Sequence, residues 1–350
     1  MQNYIRENEV VISAFFISIA LSVGFVLLLL RSPFANWSLD RANHRSLHVR
    51  PTPRVGGIAM LLAVATVVAM FRFDQFLVTA LLLATFLCLV SFIDDKYNLS
   101  VALRVGVHIA ASIFVTRGLF SNTTSGIAPL SPNIVFVAAM VVSIVWITNL
   151  FNFMDGANGL AGGMAFFGFG CYAIAATLAD GQGNEIALAS AAISGAALGF
   201  LFFNFPAAKV FLGDAGSIPL GFLAIVLGIQ GHVQGLWDWW FGLLVFSIFI
   251  VDATITLIKR LLRGEKIWIA HRDHYYQHLI LAGWSHRKTV TSYYFVMLVS
   301  TISALAAQNS RFLYPIAGIW VITYASLIIY LEWRFTQDKK GKTENNLGVK

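Results

Sequence analysis

Apolar runs of about twenty residues follow one another along this chain, separated by short polar stretches, and none of the runs alternates apolar with polar at every second position. A hydrocarbon layer about 30 Å thick asks for roughly 17 to 25 apolar residues per spanning helix. Eleven stretches qualify: residues 10–30, 55–71, 75–93, 101–119, 132–150, 160–179, 185–203, 217–233, 238–258, 290–307 and 312–331. In lipid only helices and closed barrels satisfy every backbone group, and barrel strands alternate where these runs are continuous. The predicted fold is all-α, a polytopic membrane bundle of about eleven transmembrane helices forming one domain over residues 1–350, with a basic tail at 334–350. The run from Val11 to Leu30 is too long for a signal h-region and lacks a small-residue cleavage site, so it reads as a retained first span.

Composition agrees with that class. The 350 residues are 58% hydrophobic and 12% charged, with a mean hydropathy of +0.74, whereas soluble domains carry about a quarter charged residues. Cys88 and Cys171 both sit inside apolar runs, which supports neither a disulfide framework nor a cysteine metal site. Basic residues fix an orientation. With the N-terminus outside, twenty of the lysines and arginines fall on the inner side, and only Arg6, Arg72, Arg117 and Arg311 fall outside. The expected topology is N-terminus out and C-terminus in. The net charge of +7 then describes an inner face suited to anionic lipid or substrate, and nucleic acid is not an expected partner.

The unusual polar stretches all fall on that inner face. They are HRSLHVRPTPRVGG (44–57), DDKYNLS (94–100), NLFNFMDGANGL (149–160), FNFPAAKVFLGDAGS (203–217) and KRLLRGEKIWIAHRDHYYQHL (259–279). The outer connection QGHVQGLWDWW contributes Trp237, Trp239 and Trp240, which read as interfacial anchors. Singly, each inner stretch has a structural explanation. Asp94 and Asp95 can end a helix, Asp214 can cap one, the glycines of 156–163 can serve helix packing, and Arg45, Arg50 and Arg54 can be inner-side charges. His271, Arg272, His274 and His278 can belong to a solvated loop. Asn149, Asn152 and Asp155, three apart, share one helical face. Together, three carboxylate stations, paired amides and a basic histidine loop on one leaflet point to a single site.

Carboxylates at a membrane edge can hold Mg²⁺, a hard cation commonly shared with substrate phosphates. Cationic side chains and helix N-termini, such as the one opened by Arg54-Val-Gly-Gly, bind the rest of a polyphosphate charge. The inferred chemistry joins a diphosphate substrate to a lipid phosphate that stays in the bilayer. No GxxxxGK[ST] loop and no GxGxxG after a strand is present, so ATP hydrolysis and dinucleotide binding lack support.

Five segments, HRSLHVRPTPRVGG, DDKYNLS, NLFNFMDGANGLAGG, NFPAAKVFLGDAGS and HRDHYYQHL, resemble in kind and order the polyprenyl-phosphate N-acetylhexosamine-1-phosphate transferase family, glycosyltransferase family 4. The resemblance implies a single catalytic bundle of ten or eleven transmembrane helices in the bacterial inner membrane, with active-site loops in the cytoplasm. It implies transfer of a sugar 1-phosphate from a UDP-N-acetylhexosamine donor to undecaprenyl phosphate, with release of UMP. On that basis Asp214 is expected to bind Mg²⁺, or alternatively Mn²⁺, with Asn152 as a second contributor. Asp94 and Asp95 correspond to the acceptor-activating pair. Asn149, Asp155 and Asn158 fall where the family recognises the nucleotide and holds the loop, while His271, Arg272 and His274, together with Arg54, are expected to bind substrate. The spacing His274-Tyr275-Tyr276-Gln277-His278 departs from the denser histidine cluster of the pentapeptide and common-antigen branches. It resembles the branch that initiates O-antigen or related surface polysaccharides, with UDP-GlcNAc or a 6-deoxy sugar such as UDP-FucNAc or UDP-QuiNAc as donor and muramyl pentapeptide disfavoured. The expected partners are donor, acceptor and membrane lipid, and a homodimer stays open. A transporter or flippase of a lipid-linked anion is the alternative, and would need an internal repeat and mid-membrane charges.

Overall fold

A computed structural model describes residues 2–40, 51–71, 73–121, 134–179, 184–269, 271–308 and 312–347. Arg45, Arg50, Arg72 and Arg311 lie outside the described residues. Fourteen helices and one two-stranded ribbon make up the described chain: α1 Gln2–Arg31, α2 Pro33–Trp37, β1 Leu39–Asp40, β2 Thr52–Pro53, α3 Gly56–Ala69, α4 Gln75–Tyr97, α5 Val101–Ser121, α6 Ile134–Phe153, α7 Leu160–Leu178, α8 Asn184–Asn204, α9 Asp214–Val233, α10 Trp240–Val245, α11 Ser247–Leu262, α12 Tyr275–Leu281, α13 His286–Ala307 and α14 Leu313–Leu347.

Among the described residues nine helices are long and apolar enough to cross a membrane. The other two predicted spans take different forms. The 55–71 run holds only the 14-residue α3, about 21 Å at 1.5 Å per residue and short of a full crossing. The 238–258 run is broken at Phe246, which separates α10 from α11. The Phe246 ring is wedged among Phe151, Phe169 and Tyr172 at centroid distances of 6.1, 6.0 and 5.6 Å. At the other end of the chain α14 continues past residue 331, so the start of the basic tail is helical to Leu347.

α7, α8 and α9 form the centre, with 72%, 78% and 72% of their apolar windows buried, whereas α14 buries 11%. Exposed apolar surface on the outer helices is what a lipid solvent requires. Small residues in α8 let α1 and α7 approach closely, a packing mode common in membranes, and Ser22 Oγ donates to the Ala196 carbonyl across the α1/α8 contact at 2.8 Å. Trp237 and Trp240 correct the anchor reading: both are buried, and only Trp239 is exposed, at 69%. Trp237 stacks on Tyr172 and Phe241, and its indole N–H donates to the Gly228 carbonyl at 2.9 Å.

Candidate active site

The polar loops meet at one end of the bundle. β1 pairs antiparallel with β2, Leu39 opposite Pro53 and Asp40 opposite Thr52. The ribbon delivers Arg54, whose guanidinium spans two carboxylates, Asp40 Oδ2 at 2.9 Å and Asp95 Oδ1 at 2.7 Å. Burial alone would lower the Arg54 pKa, but Asp95 and Asp40 outweigh it and hold the group above its ordinary value. The neighbouring glycines act differently from the sequence expectation. Gly56 N–H and Gly57 N–H donate to the Phe211 and Leu212 carbonyls, both at 2.9 Å, so they are not offered to a phosphate. A side chain on Gly57 would collide with the Gly216 backbone, and this close approach seats the start of α3 against the start of α9.

Adjacent residues on a helix point about 100° apart, and Asp94 and Asp95 at the end of α4 divide accordingly. Asp94 turns toward α5, where Oδ2 meets Arg104 Nη1 at 3.1 Å and Oδ1 accepts the Leu99 N–H at 2.7 Å. Asp95 turns toward Arg54, and its Oδ2 is buried without a hydrogen-bond partner. Gly213, at φ +73°, allows the loop before α9 to pass beside that oxygen, where a Cβ would stand 3.4 Å from Asp95 Oδ2.

α6 and the turn after it supply the amides. Asn152 Nδ2 donates to Asp214 Oδ1 at 2.9 Å and to Ser217 Oγ at 3.0 Å. Asn149 Nδ2 donates to the Val145 carbonyl and lies 3.3 Å from His108 Nδ1, facing α5. Asp155 lies beyond the helix and accepts a hydrogen bond from the Gly213 backbone. Burial, then the charge of Asp214, raises its pKa well above the usual carboxylate range. Asn158 fastens the turn, its N–H donating to His286 Nδ1 at 3.4 Å and its amide to the Pro206 carbonyl at 3.3 Å.

Asp94, Arg104, His108, Asn149, Asn152 and Asp214 line one end of a cavity of about 450 Å³. Apart from Ser91 the rest of its wall is apolar, with Val101, Val105 and Ile109 from α5 and Val141, Val142 and Val145 from α6. It is a groove with a charged head and a greasy length. Asp95 is not among the residues that line it.

The loop between α11 and α12 folds around Arg260, which is buried and ion-paired to Asp273 and to Glu265. Burial would raise the Asp273 pKa, but Arg260 holds it below the ordinary value. Burial, with His274 and Arg260 nearby, lowers His271 to about 4, leaving it neutral at pH 7. His274 is not on the surface: it is 2% exposed, 6.2 Å from the Phe153 ring and 4.9 Å from His271. Of the predicted loop residues, His271, Arg272 and His278 are the partly exposed ones.

Residues 77–232 match the glycosyl transferase family 4 model. The chain is similar, at 28% identity over 331 residues and with 92% and 89% of the two chains covered, to a Bacillus subtilis (strain 168) protein named a probable undecaprenyl-phosphate N-acetylglucosaminyl 1-phosphate transferase. It is 28% identical to the decaprenyl-phosphate N-acetylglucosaminephosphotransferase of Mycobacterium leprae (strain TN), over 82% of each chain. It is also 28% identical to the phospho-N-acetylmuramoyl-pentapeptide-transferase of Halalkalibacterium halodurans, over 84% of this chain and 95% of that one. Across most of its length the chain is thus similar to proteins named for polyprenyl-phosphate N-acetylglucosamine 1-phosphate transfer. Its long apolar helices make it a multi-pass membrane protein.

Three polar residues beyond the sequence-based set join the site or its frame. Arg104 and His108 line the groove, and their spacing of four on α5, just after the Asp94–Asp95 pair, puts them on one face. Asp252 is 3% exposed in the middle of an apolar run, and a lone carboxylate in such a run is itself a signal. Its oxygens accept the Tyr275 N–H at 2.9 Å, the Tyr276 N–H at 3.2 Å and the Tyr293 hydroxyl at 2.6 Å.

The carboxylates also bear on a metal. Asp95 interacts electrostatically with Asp214, Arg54 and Asp94, and Asp155 with Asp214, Arg54 and Asp95. Five carboxylates, Asp40, Asp94, Asp95, Asp155 and Asp214, thus share one end of the bundle with two guanidiniums, Arg54 and Arg104, and one carboxylate oxygen is orphaned. Among the described residues no three His, Cys, Asp or Glu side chains form a closed cage. An acidic excess without a cage fits a cation that takes one or two protein oxygens and completes its shell from substrate phosphates and water.

Proposed function

We propose that the protein transfers N-acetylhexosamine 1-phosphate from a UDP-sugar to undecaprenyl phosphate, releasing UMP, at the cytoplasmic face of a bacterial inner membrane. The N-terminus would then lie outside and the C-terminus inside, as the basic residues favour. The observation that carries the reading is the groove whose apolar walls end at Asp94, Arg104, Asn149, Asn152 and Asp214. A polyprenyl chain suits the Val101, Val105 and Val141 walls, and its phosphate suits the Arg104 end. Relatives named for polyprenyl-phosphate sugar-1-phosphate transfer support the same reading.

The donor is assigned to the other side of Asp214, between Arg54, the turn of Asp155 and Asn158, and the loop of His271 and Arg272. Asp214 would hold Mg²⁺, with Asn152 keeping that carboxylate in place and Asp95 Oδ2 facing the same acidic space. When bound, the ion neutralises diphosphate charge and stabilises the departing UMP. Arg104 and Asp94 orient the acceptor phosphate, and the buried setting excludes competing water. Because the donor loop carries a sparse set of histidines, we assign a UDP-N-acetylhexosamine without a peptide and a product that starts a surface polysaccharide.

The test is UMP release by purified protein in detergent or nanodiscs from UDP-GlcNAc, with mass spectrometry of the lipid product across a donor panel. Release should require Mg²⁺ and polyprenyl phosphate together. Transport of a lipid-linked anion without any UMP would overturn the assignment.

A further inference from the structure

We propose that Asp252 is the positioning residue of the donor loop, holding His271 and Arg272 in register with the Asn152–Asp155 turn through α12. The proposal rests on the reading of that loop as the donor contact. Asp252 lies on α11 and reaches the first two backbone N–H groups of α12, at Tyr275 and Tyr276, along with the Tyr293 hydroxyl of α13. Its Oδ1 is 3.5 Å from His274 Nδ1, and both side chains are 3% exposed. From this knot the chain runs directly to the acidic turn. Tyr276 OH donates to the Phe153 carbonyl at 3.1 Å and occupies the space that a Cβ on Gly156 would need, while the His274 ring lies over Phe153. One buried carboxylate thus ties α11, α12 and α13 to the segment that carries Asn152 and Asp155.

A carboxylate with apolar surroundings persists only where it is hydrogen-bonded, and an apolar residue there would pack at lower cost. Its placement follows from what lies on either side. His271 and Arg272 lie within four residues of Tyr275, the first residue it holds, and a shift of about 1 Å in a substrate-binding group is enough to cost orders of magnitude in rate. His274, although named with the donor loop, then serves as part of the knot, because its ring is closed off between Phe153 and Tyr276.

The experiment is a double-mutant cycle on the full-length protein, read as separate KM values for UDP-GlcNAc and polyprenyl phosphate. Asp252→Asn keeps the shape and should raise the donor KM about tenfold while the acceptor KM moves less than about twofold. Combined with Arg272→Ala, the Asp252→Asn change should add less than about twofold further, because the group it positions is gone. Should Asp252→Asn fail to yield monodisperse protein, Tyr293→Phe, which removes one hydrogen bond from the carboxylate, must show the same donor-selective and non-additive pattern at smaller amplitude. Equal loss for both substrates, or a full additional effect in the Arg272→Ala background, would make Asp252 a structural residue only. If Arg272→Ala alone leaves the donor KM unchanged, the donor-loop reading itself fails.

Discussion

Replacing Asn152 by alanine separates two roles for that amide. As a metal ligand it would present oxygen, but here it presents Nδ2 to Asp214 Oδ1 at 2.9 Å and to Ser217 Oγ at 3.0 Å. A hydrogen bond to a charged partner contributes about 1.5–3 kcal/mol, and one to a neutral hydroxyl about 1 kcal/mol. Asn152 and Asp214 are only half-buried, so water replaces part of the loss and about 2 kcal/mol is the expected destabilisation. A functional loss should accompany it. A group that orients a metal-binding carboxylate typically accounts for about 10–100-fold in metal affinity, so the Mg²⁺ concentration for half-maximal UMP release should rise by that factor. Asn152→Asp supplies a sharper sign. It sets a second carboxylate about 3 Å from Asp214, a repulsion of about 6 kcal/mol at an effective dielectric of 20 before relaxation. Its thermal stability should therefore climb with added Mg²⁺ far more steeply than that of the wild type. The assays are thermal unfolding followed by size-exclusion chromatography and UMP release across a Mg²⁺ series. An Asn152→Ala protein with unchanged stability and unchanged Mg²⁺ dependence would refute the reasoning.

Asp214→Asn should fold and lose most turnover, since a neutral amide is a poor ligand for a hard cation; near-wild-type UMP release at limiting Mg²⁺ would remove Asp214 from the metal site. The raised pKa of Asp155 gives a pH prediction for metal-free protein. Between the unfolded value of about 4 and the higher folded value the native state binds the extra proton, so stability from this group is lost as pH rises through that window. Asp155→Asn should flatten that slope, and an unchanged slope in pH-resolved thermal unfolding would show that another group sets it.

The helices were legible because lipid leaves the backbone no alternative: a spanning segment must be continuous and apolar, and such runs can be read directly. The break at Phe246 was not, because hydropathy is unaffected by a one-residue interruption of the helix inside an apolar run. Trp237 and Trp240 were misplaced for a related reason, since an aromatic residue at a helix end suits both an interface and a core, and only packing against Tyr172 and Phe241 decides. At the site, the residue types were readable and their partners were not. The Arg54–Asp95 pair joins positions 41 apart, and nothing local announces it. Spacing of three correctly put Asn149 and Asn152 along one groove, yet it could not tell that Asn149 faces His108 or that Asp155 lies past the helix end. Asp252 was overlooked because it interrupts an apolar run singly, although an isolated carboxylate in such a run calls for a partner.

The separation of Asp94 from Asp95 bears on the order of bond making. A phosphate monoester has a second pKa of about 6 and is largely dianionic at neutral pH, so a lipid phosphate scarcely needs a strong base. What it needs is an approach to a second anion, and the two aspartates flank that approach from different sides. Asp94, held by Arg104 and the Leu99 N–H, is on the groove side, where it can orient the acceptor and take any residual proton. Asp95 is held by Arg54 on the side of Gly213, outside the groove lining, a poor place from which to form a phospho-enzyme that the lipid must then attack. On the proposed reaction this placement favours direct displacement, the acceptor oxygen bonding to the donor's β-phosphorus as the bond to UMP breaks. Labelled UMP should therefore fail to exchange into UDP-sugar in rigorously lipid-free protein, and exchange should begin only when polyprenyl phosphate is restored. Lipid-independent exchange that disappears in Asp94→Asn or Asp95→Asn would instead require a covalent intermediate on the aspartate concerned.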